Sequence, residues 1–323
     1  MSLDIGRKGW VGVGIQSGFD SPGAITDYLP FQANSLTGVQ EQIPVNHATG
    51  NRDTTHTSVP GKAYSQGNFD MVADPNLCGY LLAAAQGSVQ TTSLGSGAYS
   101  HLLTRNNSNT PFYLSMTSDR VKDRQLYPNV AVDELELEVG TELAMIKTKL
   151  KGSFPSTTTS GTNTTASGNV FSFRNGSAAF GATVDEATNG ANIKPHNFKL
   201  QIKNNVEVIH RHGSNNAASV NSRSYDVNME STIYFESTVD RDRYYQQVKT
   251  AFVYKLTGNG IGGGQSESLA IRFYQLTFND YDLETGLDNF YASKIKGNGE
   301  FQVTDGKTLD MLLVNRKSGY AAS

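Results

Sequence analysis

The sequence contains little of what several functional classes require. Among its 323 residues there is one cysteine, Cys78, which excludes a disulfide framework and any metal site built from several cysteines. Only 18% of the residues are charged and the net charge is −3, which excludes a cationic protein that binds nucleic acid by neutralising phosphates. No apolar run is long enough for a membrane-spanning helix, and residues 1–8 lack the apolar stretch of a secretory signal. We therefore expect a protein that folds in a cytoplasm and does not insert into a membrane.

Glycine is abundant, with 32 residues, and a chain rich in turn formers favours strands joined by turns. Strands are predicted at residues 10–15, 29–32, 64–72, 112–115, 130–139, 143–150, 198–209, 224–235, 251–256, 269–278 and 290–296. One helix is predicted to begin at Asp74 and Pro75 and to end at Gly87, because these residues are typical of helix termini. A second, more polar helix is predicted from about residue 238 to residue 248.

Residues 155–169, PSTTTSGTNTTASGN, have almost nothing to bury, so we interpret them as a flexible linker. They divide the chain into a first module at residues 1–154 and a second at residues 170–323. The two halves match in several segments, and the matched pairs are residues 132–140 with 278–286, 149–152 with 294–297, and 33–43 with 197–209. Because these segments also follow one another in the same order, the sequence predicts a tandem repeat.

Both halves carry acidic residues at alternating positions of a predicted strand. These residues are Glu134, Glu136 and Glu138 in the first half and Asp280, Asp282 and Glu284 in the second. Residues two apart in a strand share one face, so each set lies on a single face. Two interpretations stay open: a solvated face of a half-buried sheet, or an acidic wall that lines a channel.

Lysines follow the first acidic strand at positions 147, 149 and 151. A tight turn at Gly140 and Thr141 is expected to place Lys147 opposite Glu134, where it neutralises part of the acidic face. We therefore expect a mixed wall with a net negative potential.

Sites for catalysis or cofactors have weak support in this sequence. His210 and His212 flank Arg211 and have no third ligand at metal-site spacing, and residues 258–263 match GxGxxG but lead into a strand, so they are interpreted as a hairpin tip. No nucleophile elbow occurs. Two acidic residues of one strand do not flank a cleft as a glycosidase pair does. The sequence predicts neither an enzyme nor a bound cofactor or metal.

The order of the segments resembles that of the major tail tube protein of long-tailed bacteriophages. The resemblance is carried by GVGIQSG at residues 12–18, Pro22, LPF at residues 29–31, GKAY at residues 61–64, DPNL at residues 74–77, and LELE at residues 135–138 with the lysine-rich strand and Gly152 that follow. It spans most of the chain. The second half departs from the pattern, because residues 171–189 replace its glycine-rich opening.

The resemblance implies a mainly β fold of tandem β-sandwich or barrel modules, each with a flanking α-helix and a long protruding hairpin loop. It implies rings, closed edge to edge by three chains with pseudo-six-fold symmetry or by six chains, that stack into the tail tube of a virion assembled in the host cytoplasm. Double-stranded DNA passes through such a tube. The implied partners are further copies of the chain and the tape-measure, tail tip and tail terminator proteins.

Physical reasoning on loops and edges is consistent with that assembly. Open strand edges need pairing or protection, and closing strands into a ring removes them. The polar loops at residues 44–62 and 210–223 are long, so we expect them to form contacts between subunits or rings. The residues expected in these contacts are Asn46, His47, Arg52, Asp53 and His56 in the first loop and His210, Arg211, His212, Asn215 and Asn216 in the second. The alternative is a monomeric carbohydrate-binding or surface-adhesion β-sandwich, with an exposed groove of aromatic and carboxamide side chains.

Overall fold

The computed structural model describes residues 8–47, 50, 57–158, 168–190, 192–234, 238–284 and 291–321. The strands of the first half are β1 (Trp10–Ile15), β2 (Asp27–Leu29), β3 (Ala33–Asn34), β4 (Thr37–Val45), β5 (Thr57–Val72), β6 (Gly87–Gly95), β7 (Ala98–Arg105), β8 (Leu114–Asp119), β9 (Arg124–Val139), β10 (Ala144–Ser153) and β11 (Ser156–Thr157). Those of the second half are β12 (Gly176–Gly181), β13 (Asn197–Lys203), β14 (Glu207–His210), β15 (Ala217–Asn221), β16 (Asp226–Tyr234), β17 (Thr250–Gly262), β18 (Gln265–Glu284), β19 (Ala292–Gly299) and β20 (Leu309–Asn315). The helices are α1 (Cys78–Gln86), α2 (Val184–Asn189) and α3 (Val239–Tyr245).

The prediction of a mainly β fold is confirmed, and all the strand pairs are antiparallel. The central feature is a run of eight strands in the order β4-β5-β10-β9-β13-β16-β19-β18. The strand order β4-β5-β10-β9 comes from the first half of the chain, and β13-β16-β19-β18 comes from the second. Within the run, the ladder between β9 and β13 joins the halves, and outside the run the ladder between β7 and β20 also joins them.

Two long strands connect this run to the rest of the fold. The first part of β9 pairs with β8, which continues to β1 and β2. The first part of β18 pairs with β17 and β20, and β20 continues to β7 and β6. The hairpin β14–β15 stands outside these ladders. Strands β9 and β18 therefore each pair with one set of strands along their first part and with a strand of the eight-strand run along their last part.

The core lies on the apolar face of the eight-strand run. Leu135 and Leu137 of β9, Leu200 of β13 and Ile295 of β19 are each fully buried. They alternate with charged residues, which is the pattern expected of a sheet with one buried face and one solvated face. Burial of a leucine or isoleucine side chain contributes roughly 1.5–3 kcal/mol, so this alternation determines which face of each strand is turned inward.

Helix α1 forms where the sequence predicts a helix, and every one of its residues is buried. Before the helix, Asp74 Oδ1 accepts hydrogen bonds from the backbone N–H groups of Asn76 and Leu77, at 2.7 and 3.2 Å. After it, Gly87 adopts a left-handed conformation with φ 89°, which ends the helix as predicted. Helix α3 corresponds to the second predicted helix, and none of its residues is buried.

The structure differs from the predicted elements in three respects. The single strand predicted at residues 198–209 is two strands, β13 and β14, because Asn205 between them has φ 48° and breaks the extended backbone. No strand was predicted at the positions of β3, β4, β6, β7, β12, β15 and β20. At the start of the predicted linker, Ser156–Thr157 forms strand β11 against β9, whereas residues 159–167 lie outside the described residues.

Candidate functional site

The predicted acidic strand β9 lies between two strands that carry lysine. On one side, Lys149 Nζ lies 2.6 Å from Glu134 and Lys147 Nζ forms ion pairs with Glu136 and Glu138. On the other side, Lys199 Nζ of β13 lies 2.8 Å from Glu136. The polar face at β9 therefore carries paired charges of both signs.

The register corrects one expectation about this pairing. Lys147 lies opposite Glu136 and Lys149 lies opposite Glu134, so the predicted partner of Lys147 is wrong by two residues. The reason is the turn between β9 and β10, which leaves four residues, 140–143, between the paired Val139 and Ala144.

The second acidic strand, β18, shows the same arrangement against β19. Asp280 lies opposite Lys296, with 3.4 Å between the carboxylate and Nζ, and Asp282 lies opposite Lys294. Lys294 Nζ also lies 3.3 Å from Glu230 of β16. Glu284 pairs through its backbone with Ala292, and its side chain lies outside the described residues.

Ion pairing shifts the pKa values of groups on this face. The hydrogen bond from Lys147 lowers the pKa of Glu138 below its ordinary value, and the same bond raises the pKa of Lys147. Glu134 raises the pKa of Lys149 in the same way. Burial raises the pKa of Asp70, which lies on β5 opposite Lys147. At neutral pH the shifts of Glu138, Lys147 and Lys149 favour the charged forms, so the face keeps its alternating signs.

The two acidic strands share a second feature, a register shift at the same place. Between β9 and β10 the register shifts at Asp133, and between β18 and β19 it shifts at Asn279. The first shift comes one residue before Glu134 and the second comes one residue before Asp280, and these are the first members of the two alternating acidic sets. Relative to the two register shifts, Lys149 of β10 and Lys296 of β19 occupy corresponding positions. The match of residues 149–152 (KLKG) to residues 294–297 (KIKG) in the sequence instead pairs Lys149 with Lys294. At this point the correspondence given by the strand registers and the correspondence given by the sequence match therefore differ by two residues.

The eight-strand run ends in two edges that differ from the junction inside it. Among the described residues, β4 pairs with β5 alone, and no strand pairs with the side of β18 at residues 278–284. Leu283 of β18 and Leu137 of β9 occupy corresponding positions, one residue after Asp282 and Glu136. Leu137 is 0% exposed because β13 lies beside β9, whereas Leu283 is 36% exposed. Part of the β4 side is already capped, because Leu36 O accepts hydrogen bonds from Arg120 and Tyr127.

The two predicted contact loops are hairpins, β4–β5 and β14–β15, and they meet within one chain. Ala63 N of β5 donates to Asn215 O at 2.8 Å, and Asn216 forms a bridge to Ala63. His210 Nε2 lies 3.3 Å from Ala63 O. The second loop thus contacts strand β5 in the first half of its own chain.

The remaining predicted loop residues are placed as follows. Asn46 and His47 follow β4 directly, and Arg211 and His212 line an open groove between the two hairpins. Arg52, Asp53 and His56 lie outside the described residues.

One arrangement at the junction was missed by sequence reasoning. Asp133 Oδ1 accepts a hydrogen bond from Val206 N at 2.6 Å, and Lys151 Nζ donates to Val206 O at 2.8 Å. Lys151 and Asp133 also form an ion pair of 3.0 Å. The two side chains therefore hold both backbone polar groups of Val206, where β13 leads into the β14–β15 hairpin. We call Asp133 and Lys151 the junction clamp.

Other candidate chemistry finds little support in the structure. Residues 258–263 lie at the end of the β17–β18 hairpin, where Gly262 pairs with Gln265, so the prediction of a hairpin tip is confirmed. Within the described ranges, no group of three or more His, Cys, Asp or Glu residues is arranged to hold a metal ion. Over the same part of the chain, no helix has the length and apolar character needed to cross a membrane.

Over the described residues, the fold and the site define the chain as an antiparallel β protein with a charge-paired sheet face, in which no further strand pairs with the outer sides of β4 and of residues 278–284 of β18. No protein-family model matches the chain. No curated protein matches it either.

Proposed function

We propose that this chain is a structural subunit that assembles with copies of itself into rings, and that stacked rings form the hollow tail tube of a bacteriophage. Double-stranded DNA passes along the tube, and the subunit acts by shape and charge without catalysing a reaction. Within the virion, its further partners are the tape-measure, tail tip and tail terminator proteins.

The observation that carries this proposal is the pair of unpaired edges on the eight-strand run. The β9–β13 junction inside the chain is antiparallel, and β18 of one copy and β4 of another present the same two strand types in the same order. Leu137 is buried where β13 lies beside β9, whereas its counterpart Leu283 on β18 is exposed in a single copy. A strand from a second copy beside β18 would cover Leu283 in the same way. Exposed sheet edges are otherwise a liability for a monomer.

The strand order supports two tandem modules per chain. Each half contributes four strands to the run in corresponding order, with a hairpin, a helix and a register shift at matching places. With two such units per chain, three chains close a ring of six modules. We accordingly propose a trimer with pseudo-six-fold symmetry, in which the polar face of the run lines the lumen.

The charge pattern of this face suits the passage of DNA. The duplex carries one negative charge per ~1.7 Å of its axis, so a continuous basic track would retain it. On the polar face, lysines alternate with carboxylates and are ion-paired to them, as Lys147 is to Glu136 and Lys296 to Asp280. Paired lysines offer phosphates little net attraction, so the duplex slides.

The test is negative-stain electron microscopy of the purified protein over a concentration series. Hollow filaments or stacked rings of constant diameter are expected, and end-on averages distinguish three chains from six. Dispersed particles at every concentration would contradict the proposal and would direct attention to the carbohydrate-binding alternative. That alternative needs an aromatic and carboxamide groove. The amide-rich cavity between β13, β16, β18 and β19 has no aromatic residue among its described lining residues, and a glycan screen tests the alternative directly.

A further inference from the structure

A polar cavity of about 140 Å³ lies beside the end of α1, where the two halves of the chain meet. Its described lining residues are 84–87 and 105–111 from the first half and 204 and 222–225 from the second. Two of them are arginines, Arg105 and Arg223, and none of them is Asp or Glu. The described lining of the cavity therefore carries positive charge and no carboxylate.

The carbonyl groups that the end of α1 directs toward this region are hydrogen-bonded within the chain. Asn204 Nδ2 donates to Ala85 O at 3.0 Å, and Asn106 N donates to Gln86 O at 2.8 Å. Asn204 lies two residues before the Val206 that the junction clamp holds. The partial negative charge of a helix C-terminus is roughly half a unit, which is smaller than the charge of the two arginines. What the cavity offers to a ligand is therefore chiefly side-chain donors.

Two of these donors have no hydrogen-bond partner among the described residues. Gln86 is 2% exposed, its Oε1 accepts from Tyr225 Oη at 3.2 Å, and its Nε2 is unpaired. The Arg105 guanidinium forms no hydrogen bond or ion pair with a described residue, and its Cζ lies over the Tyr225 ring, 5.5 Å from the centroid. A cation over an aromatic face is held without a hydrogen bond, so its N–H groups stay available. An unpaired buried donor is costly, which favours a ligand oxygen beside Gln86.

The carboxylates nearest to this region leave the charge of Arg105 open. Asp310 of β20 is bonded to Arg272, with 2.6 Å between Oδ1 and Nε. Glu207 pairs with Arg223 across 3.4 Å, and both of these side chains are more than half exposed. An exposed pair of this length is weak, so Arg223 is able to turn toward a ligand.

We propose that this cavity binds a small oxyanion, a carboxylate or a phosphate group, between Arg105 and Gln86. A guanidinium donates through a planar fork that matches two oxygens on one atom, and the Gln86 amide supplies a further donor. Because the lining comes from both halves, the bound oxyanion joins α1 and β7 to the segment that precedes β16. The oxyanion is either a free ion or a carboxylate of a second copy of the chain, and the test distinguishes these sources. The proposal stands independently of the proposed function.

Isothermal titration calorimetry of the dispersed chain with phosphate and with acetate, against chloride at equal ionic strength, measures the affinity. Arg105→Gln should weaken it by about tenfold or more, because a charged donor is lost. Arg105→Lys keeps the charge without the fork, so an intermediate affinity is expected. Gln86→Glu places a carboxylate of the chain itself beside Arg105 and should abolish binding.

The matched control is Arg316→Gln. Arg316 is exposed and lies near the start of α1, at the other end from the cavity, because its backbone N–H donates to Asn76 Oδ1 at 3.1 Å. This variant removes the same charge and should leave the affinity unchanged. Equal losses for Arg105→Gln and Arg316→Gln would show that the anion responds only to net charge, and the proposal would fail.

Sedimentation of the chain over a concentration series, with and without phosphate, distinguishes the two sources. For a free ion, phosphate should leave association of the copies unchanged. For a carboxylate of a second copy, phosphate should weaken association of the natural chain but not that of Arg105→Gln. Either result, together with calorimetric binding, supports the site. If neither phosphate nor acetate binds, the proposal is overturned, and this outcome does not depend on whether the chain forms rings.

Discussion

The two corresponding leucines, Leu137 and Leu283, allow a direct test of which sheet edge is an interface. Leu137 is 0% exposed and Leu283 is 36% exposed in a single copy, although each follows the second member of its alternating acidic set, Glu136 or Asp282. Truncating each to alanine removes the same atoms from the same type of site. The difference between the two variants therefore reports on what covers the side chain.

The magnitudes follow from burial. Leu137→Ala empties a fully buried site and should lower the free energy of unfolding by about 2–5 kcal/mol. Leu283→Ala should cost the single copy only about 1–2 kcal/mol, because about a third of the side chain is still in water. That remaining third, if a second copy buries it, is worth about 0.5–1 kcal/mol per interface. This corresponds to a rise of about two- to fivefold in the assembly threshold.

The assays are urea unfolding of the dispersed chain and sedimentation of assembled rings over a concentration series. Leu137→Ala should shift the unfolding midpoint strongly and the threshold little, because its site lies inside one chain. Leu283→Ala should shift the unfolding midpoint less than Leu137→Ala does and should raise the assembly threshold by about two- to fivefold. Equal losses of unfolding free energy would show that Leu283 is already covered within the chain. An unchanged threshold for Leu283→Ala would refute the assignment of β18 as an interface edge.

Three further predictions concern single residues. Burial raises the pKa of Asp74, so the folded chain binds a proton there more tightly than the unfolded chain, and the resulting stability is lost as pH rises through the raised pKa. Asp74→Asn keeps an acceptor for the turn before α1, so its free energy of unfolding should rise relative to that of the natural chain as the pH goes from 4 to 8. Asp74→Ala removes the acceptor and should lower the free energy of unfolding by about 1–2 kcal/mol. Urea unfolding midpoints measured at both pH values check this. The pKa of Glu138 is lowered by its hydrogen bond from Lys147, so its contribution is present above the ordinary carboxyl pKa and disappears as pH falls through the lowered one. Glu138→Gln should therefore cost at most about 1 kcal/mol at pH 7 and nothing in acid, and a constant difference across a pH series would contradict this. Finally, a Cβ on Gly79 would lie 2.2 Å from Cζ of Tyr320, so Gly79→Ala should cost about 1–3 kcal/mol. Tyr320→Leu should relieve part of that cost in a double-mutant cycle, and strict additivity of the two changes would count against the clash.

Local patterns predicted much of the secondary structure. Alternation of charged and apolar residues is sufficient to indicate β9 and β18 and to place their carboxylates on one face, because side chains alternate along any strand. Helix α1 was predicted from its terminal residues, since Asp74 and Gly87 act through bonds and backbone angles within a few positions of themselves. Strands β6 and β7 escaped prediction because much of β6 is polar and exposed, and its strand character comes from pairing with β7.

The sequence by itself determined the mainly β class, the alternating acidic face and the start and end of α1, because each depends on neighbours in the chain. Tertiary structure decided the register that pairs Lys147 with Glu136, the β9–β13 junction and the contact of the second hairpin with Ala63. It also decided that Asp133 and Lys151 hold Val206. The physical reason is that turn length and register shifts set which residues of distant strands lie opposite each other, and a displacement of one or two positions changes every partner without changing the pattern along either strand.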